Sequence, residues 1–325
     1  MKKKTVVILT SVILLLSLMA FLWIFRNDSR INYFLFHRST SDDVTVGSGG
    51  WLFFNDTLPD YQKDNLYTQE ELDRIRRDVL YTNDYLADQG IEFILFISPN
   101  KASIYGEHLP QRIPTQPGPS RTEQLVAYLQ STTDITVIYP KEHLLQATKD
   151  HPNMPLYFCN DTHWTYLGSY FGTLPLLEYL NVPTVPFADI ICTKISEPMF
   201  FWSGYDLAEM MRLSDVLTQD TNYRLDGFST AAVTYDADGA QDRDAFYGTI
   251  RTQSDATDSR NIFVARDSFG QAMTPYLASS FQNVTFQHHR TLSKSQVEQE
   301  QPDVLIYQIV ERSGLHNIHC GLWKP

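Results

Sequence analysis

Apolar runs and amphipathic stretches alternate along most of this chain. Residues 93–97, 135–139, 261–265 and 304–310 are apolar at nearly every position. Runs apolar on both faces are the pattern of strands covered from two sides. Residues 51–54 and 284–286 read as shorter strands, the first entered through Gly47-Ser48-Gly49-Gly50. Helical patterns lie between them. Thr68-Gln69-Glu70-Glu71 is a capping box, followed by Leu72, Ile75, Val79 and Leu86 on one face and closed by Gly90. Ser120-Arg121-Thr122-Glu123 is another, opening a helix to about Gln130. Further helices are predicted over residues 141–149, 165–180 (kinked by Pro175), 271–281 and 293–300. Strand and helix in alternation predict an α/β fold, a three-layer α/β/α domain with a mainly parallel sheet. Residues 182–260 break the rhythm with Gly, Asp and Thr and are expected to form an insertion or lid.

The amino terminus follows a different pattern. Lys2, Lys3 and Lys4 precede an uncharged run over residues 5–25. As a helix that run reaches about 31 Å, near the thickness of a bilayer's hydrocarbon core. The expectation is an uncleaved transmembrane anchor over residues 1–25, with Trp23 at the far interface. A tether over 26–45 and the main domain over 46–325 follow, outside the cytoplasm at the cell surface or in the periplasm. Charge narrows the partners. With 26 Lys+Arg against 38 Asp+Glu the net charge is -12, and an acidic surface repels nucleic acid. Three cysteines, none in a Cys-x-x-Cys pair, give no disulfide framework and no thiolate zinc site. No metal or bound cofactor is expected.

Two short segments carry candidate chemistry. Arg266-Asp267-Ser268-Phe269-Gly270 stands at the carboxyl end of a predicted strand, where sites gather in such sheets. A serine there presents its hydroxyl at the rim of the sheet; the plainer reading is that Ser268 caps the helix that follows. Asn160-Asp161-Thr162-His163-Trp164 places a carboxylate and an imidazole two residues apart. In extended backbone both point to one face, so Asp161 can hold one ring nitrogen while the other meets a nucleophile. Trp164 is placed to pack beside the imidazole. The plainer reading here is that Asp161 caps the helix starting near Thr165. Together the segments supply a hydroxyl and the oriented base it needs at neutral pH, the parts of an acyl-transfer site.

These segments also carry a resemblance. Asp161-Thr162-His163-Trp164 and Asp267-Ser268-Phe269 resemble the SGNH-hydrolase-like domain of the alginate O-acetyltransferase family. Gly50-Trp51-Leu52-Phe53, Pro99-Asn100-Lys101-Ala102-Ser103-Ile104-Tyr105, Gly204-Tyr205-Asp206-Leu207 and Pro302-Asp303-Val304 with Glu311-Arg312 extend it, in order, over about residues 46–312. The resemblance implies a polysaccharide O-acyltransferase, most simply O-acetyl, acting on a cell-wall or exported glycan through an acyl-serine. Ser268 would be the nucleophile, His163 the general base and Asp161 its orienting partner, in the family's circularly permuted order. It also implies that a multi-span membrane acyltransferase supplies the acetyl group. Arg266 stands where ordinary SGNH enzymes have Gly, and Tyr205 where the family usually shows Gly. Asn100, Lys101, Arg290 and Trp164 are candidate oxyanion or substrate groups. A carbohydrate esterase and a non-catalytic polysaccharide-binding scaffold are the alternatives.

Overall fold

The structure is a computed structural model and describes residues 12–20, 23, 28–197, 205–228, 232–235 and 247–314. Its centre is a seven-stranded sheet in the order β4-β3-β11-β9-β10-β8-β7. The first five strands in that order are parallel: β4 (Thr136–Ile138), β3 (Glu92–Ser98), β11 (Val304–Val310), β9 (Asp258–Arg266) and β10 (Phe281–His288). β8 (Thr249–Gln253) runs antiparallel to β10, and β7 (Ala232–Tyr235) antiparallel to β8. Two small antiparallel pairs accompany it: β1 (Val44–Val46) with β2 (Leu52–Phe54), and β5 (Ile191–Ile195) with β6 (Asn222–Asp226).

The apolar runs divide their side chains between two cores. Phe93, Leu95, Ile97, Phe263, Ala265, Leu305, Tyr307 and Ile309 meet Leu72, Ile75 and Val79 of helix Gln69–Ala87, and Leu125 and Leu129 of helix Arg121–Thr132. Ile94, Phe96, Ile262, Val264, Val304 and Ile306 meet Trp164, Leu167, Leu176 and Leu177 on the other side. The five side chains from Phe93 to Ile97 are all 4% exposed or less, each contributing about 1.5–3 kcal/mol of burial. A strand apolar on both faces does not set its own register by hydrophobicity. Gln308, fully buried within β11, helps to set it: its amide nitrogen Nε2 donates to Ser98 Oγ on β3 at 2.9 Å.

Both expected capping boxes are present, at Thr68 and Ser120, and a third is present at Ser293. The helix predicted over 271–281 is two helices, Ser268–Gln271 and Thr274–Ser280. Pro275 accounts for the break: it lacks an N–H and suits the first turn of a new helix. Residues 182–260 hold β5, β6 and a short helix, and also lend β7 and β8 to the central sheet. The stretch read as a tether contains a helix, Ser29–Phe36, capped by the Asp28 carboxylate.

The expected membrane-spanning helix requires correction. Among the described residues no helix is long and apolar enough to cross a membrane. The helical residues 12–20 reach about 13 Å, under half of a hydrocarbon core. The rest of the anchor expected over 1–25 lies outside the described residues, apart from residue 23. The anchored, extracytoplasmic placement built on that helix is therefore not supported.

Candidate active site

β9 lies between β10, which follows it in the chain, and β11, to which the chain returns on the other side. Its carboxyl end is thus a topological switch point, where α/β sheets open a crevice. Ser268 stands two residues beyond β9. The turn that holds it is tied to β11 from below. Asp267 N donates to Gln308 Oε1 at 3.0 Å, and Val310 N donates to Asp267 Oδ2 at 2.6 Å. Asp267, not Ser268, caps the helix: its Oδ1 accepts from Phe269 N at 2.8 Å. Gly270 fits where no side chain would, since a Cβ there would lie 2.4 Å from Gln308 Oε1 and 2.7 Å from Arg266 Cβ.

The imidazole arrives on a tight loop between residues 156 and 165. Phe158 N donates to His163 O at 3.2 Å, Thr165 N donates to Leu156 O at 2.8 Å, and Tyr157 bridges Trp164. Helix Tyr166–Tyr179 is capped by Thr165, so Asp161 is left for other work. Gly168 lets that helix lie against the loop, because a Cβ there would sit 1.9 Å from Leu156 O. Trp164 is fully buried and donates from Nε1 to Phe269 O at 3.2 Å. It therefore ties the imidazole loop to the serine turn.

The two segments meet as side chains. His163 Nδ1 lies 2.6 Å from Asp161 Oδ1, and His163 Nε2 lies 2.7 Å from Ser268 Oγ. Asp161 Oδ1 also accepts from His163 N at 2.8 Å, and its Oδ2 accepts from Asp206 N at 2.9 Å. With both carboxylate oxygens engaged, the Nδ1 proton has one natural acceptor, which leaves Nε2 facing the hydroxyl. Burial works against charge on both groups. Burial alone lowers His163, but the Asp161 charge and hydrogen bond outweigh it and hold the imidazole above its usual 6.5. Burial pushes the Asp161 carboxyl up, while the imidazole and the donated N–H groups bring it below its usual 3.8.

Asp206 is a second carboxylate at this base, and its place there is visible only in the fold. It accepts from Thr162 N at 2.7 Å and from Thr162 Oγ1 at 2.5 Å, and its Oδ2 stands 3.9 Å from His163 Nδ1. Burial raises its pKa, and the Asp161 charge adds to the rise. Asp161, His163 and Asp206 offer ligand atoms within 4.8 Å of one another, close enough for a metal ion. Their oxygens already accept hydrogen bonds from Asp206 N, His163 and Thr162.

The remaining sequence candidates fall into different roles. Lys101 is buried, and its Nζ donates to Phe158 O at 3.0 Å, Cys159 O at 3.1 Å and Asp161 O at 2.7 Å. An ammonium has three N–H groups, so none is left for a substrate. Burial lowers this lysine to about 8, with Cys159 and the nearby aspartates opposing. Asn100 is 1% exposed; its N donates to Glu311 Oε2 at 2.7 Å, while its side-chain amide has no hydrogen-bond partner among the described residues. Glu311 also accepts from Ser103 Oγ at 2.7 Å and Tyr139 OH at 2.9 Å, which fixes the turn carrying Lys101. Arg290 is exposed and lies over the Tyr247 ring at 5.5 Å. Arg312, quoted in sequence only as part of a closing motif, reaches the site: Nη2 donates to Thr162 Oγ1 at 3.3 Å, and the guanidinium lies 5.2 Å from the Phe269 ring. Neither Asp206 nor Arg312 has a local pattern that announces it; only the family resemblance marked their segments.

Comparison with known proteins agrees with that resemblance. Residues 44–180 match the profile of the SGNH hydrolase-like domain of the acetyltransferase AlgX. No curated protein matches the chain. Among solved structures, PatB1 of Bacillus cereus with a sulfonyl adduct is 16% identical, with a TM-score of 0.63 over 86% of this chain and 98% of that one. A DHHW family protein from Eubacterium siraeum is 14% identical, with a TM-score of 0.57 over 77% of this chain and 88% of the other. The O-acetyltransferase domain of Pseudomonas putida AlgJ is 15% identical, with a TM-score of 0.50 over 83% and 91%. At these identities the likeness shows a shared fold. The chain resembles the alginate O-acetyltransferase family in its SGNH-like fold and in the order of its motifs.

Proposed function

We propose that this chain is a serine-dependent O-acetyltransferase that acetylates hydroxyl groups of an exported polysaccharide. One observation carries the reading: His163 bridges Asp161 at 2.6 Å and Ser268 at 2.7 Å, from segments 105 residues apart. The AlgX profile match and the AlgJ O-acetyltransferase fold support the acetyl group, and the glycan acceptor is what the family resemblance implies. In the first half-reaction His163 Nε2 takes the Ser268 proton as Oγ attacks the acetyl carbonyl. The leaving alkoxide takes that proton back, and an acetyl-serine remains. In the second half-reaction a sugar hydroxyl gives its proton to His163 and attacks the acetyl-serine; the bond from the acetyl carbon to Ser268 Oγ breaks, and Oγ takes the proton back from His163. Asp161 holds the ring in the required tautomer throughout and stabilises the imidazolium. The acetyl group comes from a partner acyltransferase, as the family resemblance implies; no bound cofactor has a part in the proposed steps.

The test uses the purified chain, an activated acetyl ester and a panel of oligosaccharides. Acetylated sugar is the expected product, and Ser268→Ala removes it. Mass spectrometry after treatment with a sulfonyl fluoride should place the adduct on Ser268. Free acetate with no acetylated sugar would convert the reading to an esterase. Unchanged acetyl transfer by Ser268→Ala would discard the serine mechanism.

A further inference from the structure

Attack by Ser268 leaves a negative charge on the former carbonyl oxygen, and acyl-transfer sites meet that charge with two or more N–H donors. The serine turn supplies few. Asp267 N and Phe269 N are engaged by Gln308 and by the Asp267 carboxylate, leaving the Ser268 N–H, among the described residues, as an open donor at the nucleophile itself. A second donor has to come from a neighbouring strand end. Lys101 is excluded because its three N–H groups are engaged. Asn100 follows β3, two strands from β9 and so about 9–10 Å away across the sheet, and is sealed from solvent. Arg290, beyond β10, is laid against Tyr247. Arg312 follows β11, the immediate neighbour of β9.

Arg312 is also held in a way that leaves it available. It is half-buried, and its guanidinium rests on Phe269, the residue after the nucleophile, and on Thr162, the residue before the base. It therefore lies over the seam where the two catalytic segments meet. A guanidinium has five N–H donors. Among the described residues one of them, to Thr162 Oγ1, has an acceptor. The nearby carboxylates do not draw in the others, because Asp206 is engaged by Thr162, and Asp161 by His163 and Asp206 N.

We propose that Arg312 is the second donor of the oxyanion hole, acting with the Ser268 N–H on the acetyl oxygen. This rests on the acetyl-serine reading above. Ser268 Oγ bonds to the acetyl carbon of an acetyl ester, its proton passes to His163 Nε2, and the carbonyl π pair moves onto the oxygen facing Arg312. Collapse restores the C=O bond, breaks the bond to the leaving oxygen, and returns the proton to that oxygen. A fixed cation with open donors suits a charge that exists only in the transition state.

The experiment is burst-phase acylation by 4-nitrophenyl acetate, with the rate expressed per site titrated by the burst amplitude so that unfolded protein does not count. Arg312→Met should slow acylation about 100- to 1,000-fold with KM nearly unchanged. Arg312→Lys should recover at least about tenfold of that loss, since it restores a charge and donors. Acylation by Arg312→Met within about threefold of the parent overturns the proposal, as does Arg312→Lys no faster than Arg312→Met. Ser268→Ala, run alongside, should give no burst. A burst there would fail the serine reading itself, and that failure is distinguishable from failure at Arg312.

Discussion

Lys101 and Arg312 are two cations that contact one imidazole loop, and they are held in opposite ways. Lys101 lies beneath the loop, buried, with each ammonium hydrogen on a main-chain carbonyl of Phe158, Cys159 or Asp161. Arg312 lies at the rim, half-buried against a ring and one hydroxyl. A saturated cation fixes a backbone; an unsaturated one can take up charge that arrives. The contrast teaches that proximity to the His163 imidazole does not assign a role: the number of donors already engaged does.

The largest effect that would sharpen this contrast is on the base itself. Asp161→Asn keeps the shape but offers an amide to His163 Nδ1, favouring the wrong tautomer. We expect acetyl transfer to fall about 10⁴-fold with little change in thermal unfolding temperature. A fall of less than about tenfold would mean that Asp161 does not orient the ring.

Lys101→Met should act on the fold before it acts on chemistry. It leaves three main-chain carbonyls without their shared donor, and each orphaned buried acceptor costs about 1–3 kcal/mol. Denaturant unfolding should show a loss of about 3 kcal/mol or more. Arg312→Met should lose under about 1 kcal/mol in the same assay, since one long, part-buried hydrogen bond and a ring contact at the rim are worth little. Equal losses for both variants would erase the distinction between support and rim. Gly270→Ala tests the serine turn independently: its Cβ would collide with Gln308 Oε1, costing about 1–3 kcal/mol by overpacking.

Sequence made the buried parts of this molecule easy to read and the rim hard. Strands β3, β9 and β11 announce themselves as apolar runs, and the helices after Thr68 and Ser120 by capping boxes, because both signals are local. The Asp161–His163 spacing and Ser268 at a strand end are local too. β8 and β7 were hidden inside a stretch expected to be an insertion, since an antiparallel edge with few apolar positions lacks a clear period. Asp206 and Arg312 were silent for a different reason. Each owes its place to partners far off in the chain, Thr162 being 44 residues from Asp206 and 150 from Arg312. Lys101 was read as a substrate group because sequence shows a charge but not the carbonyls that engage it.

The smallest predicted effect concerns Asp206 and separates it from Asp161. In the proposed mechanism acetyl transfer needs neutral His163, so kcat/KM of the parent should rise with pH through an apparent pKa above 6.5, the ordinary imidazole value. Among the described residues the charged groups that face that ring include Asp161 and Asp206, which favour the imidazolium, and Arg312, which opposes it. Asp206→Asn removes one favouring charge but keeps an acceptor for Thr162, and the main-chain N–H to Asp161 is unaffected. The acid limb should therefore move to lower pH while the plateau rate changes little. Arg312→Met removes the opposing charge, so its acid limb should move up even as its plateau falls. Opposite shifts in the two variants would place both groups electrostatically at His163. A lowered plateau with an unmoved limb in Asp206→Asn would instead make Asp206 a prop for the loop, like Lys101, and leave Arg312 the only rim charge that reaches the base.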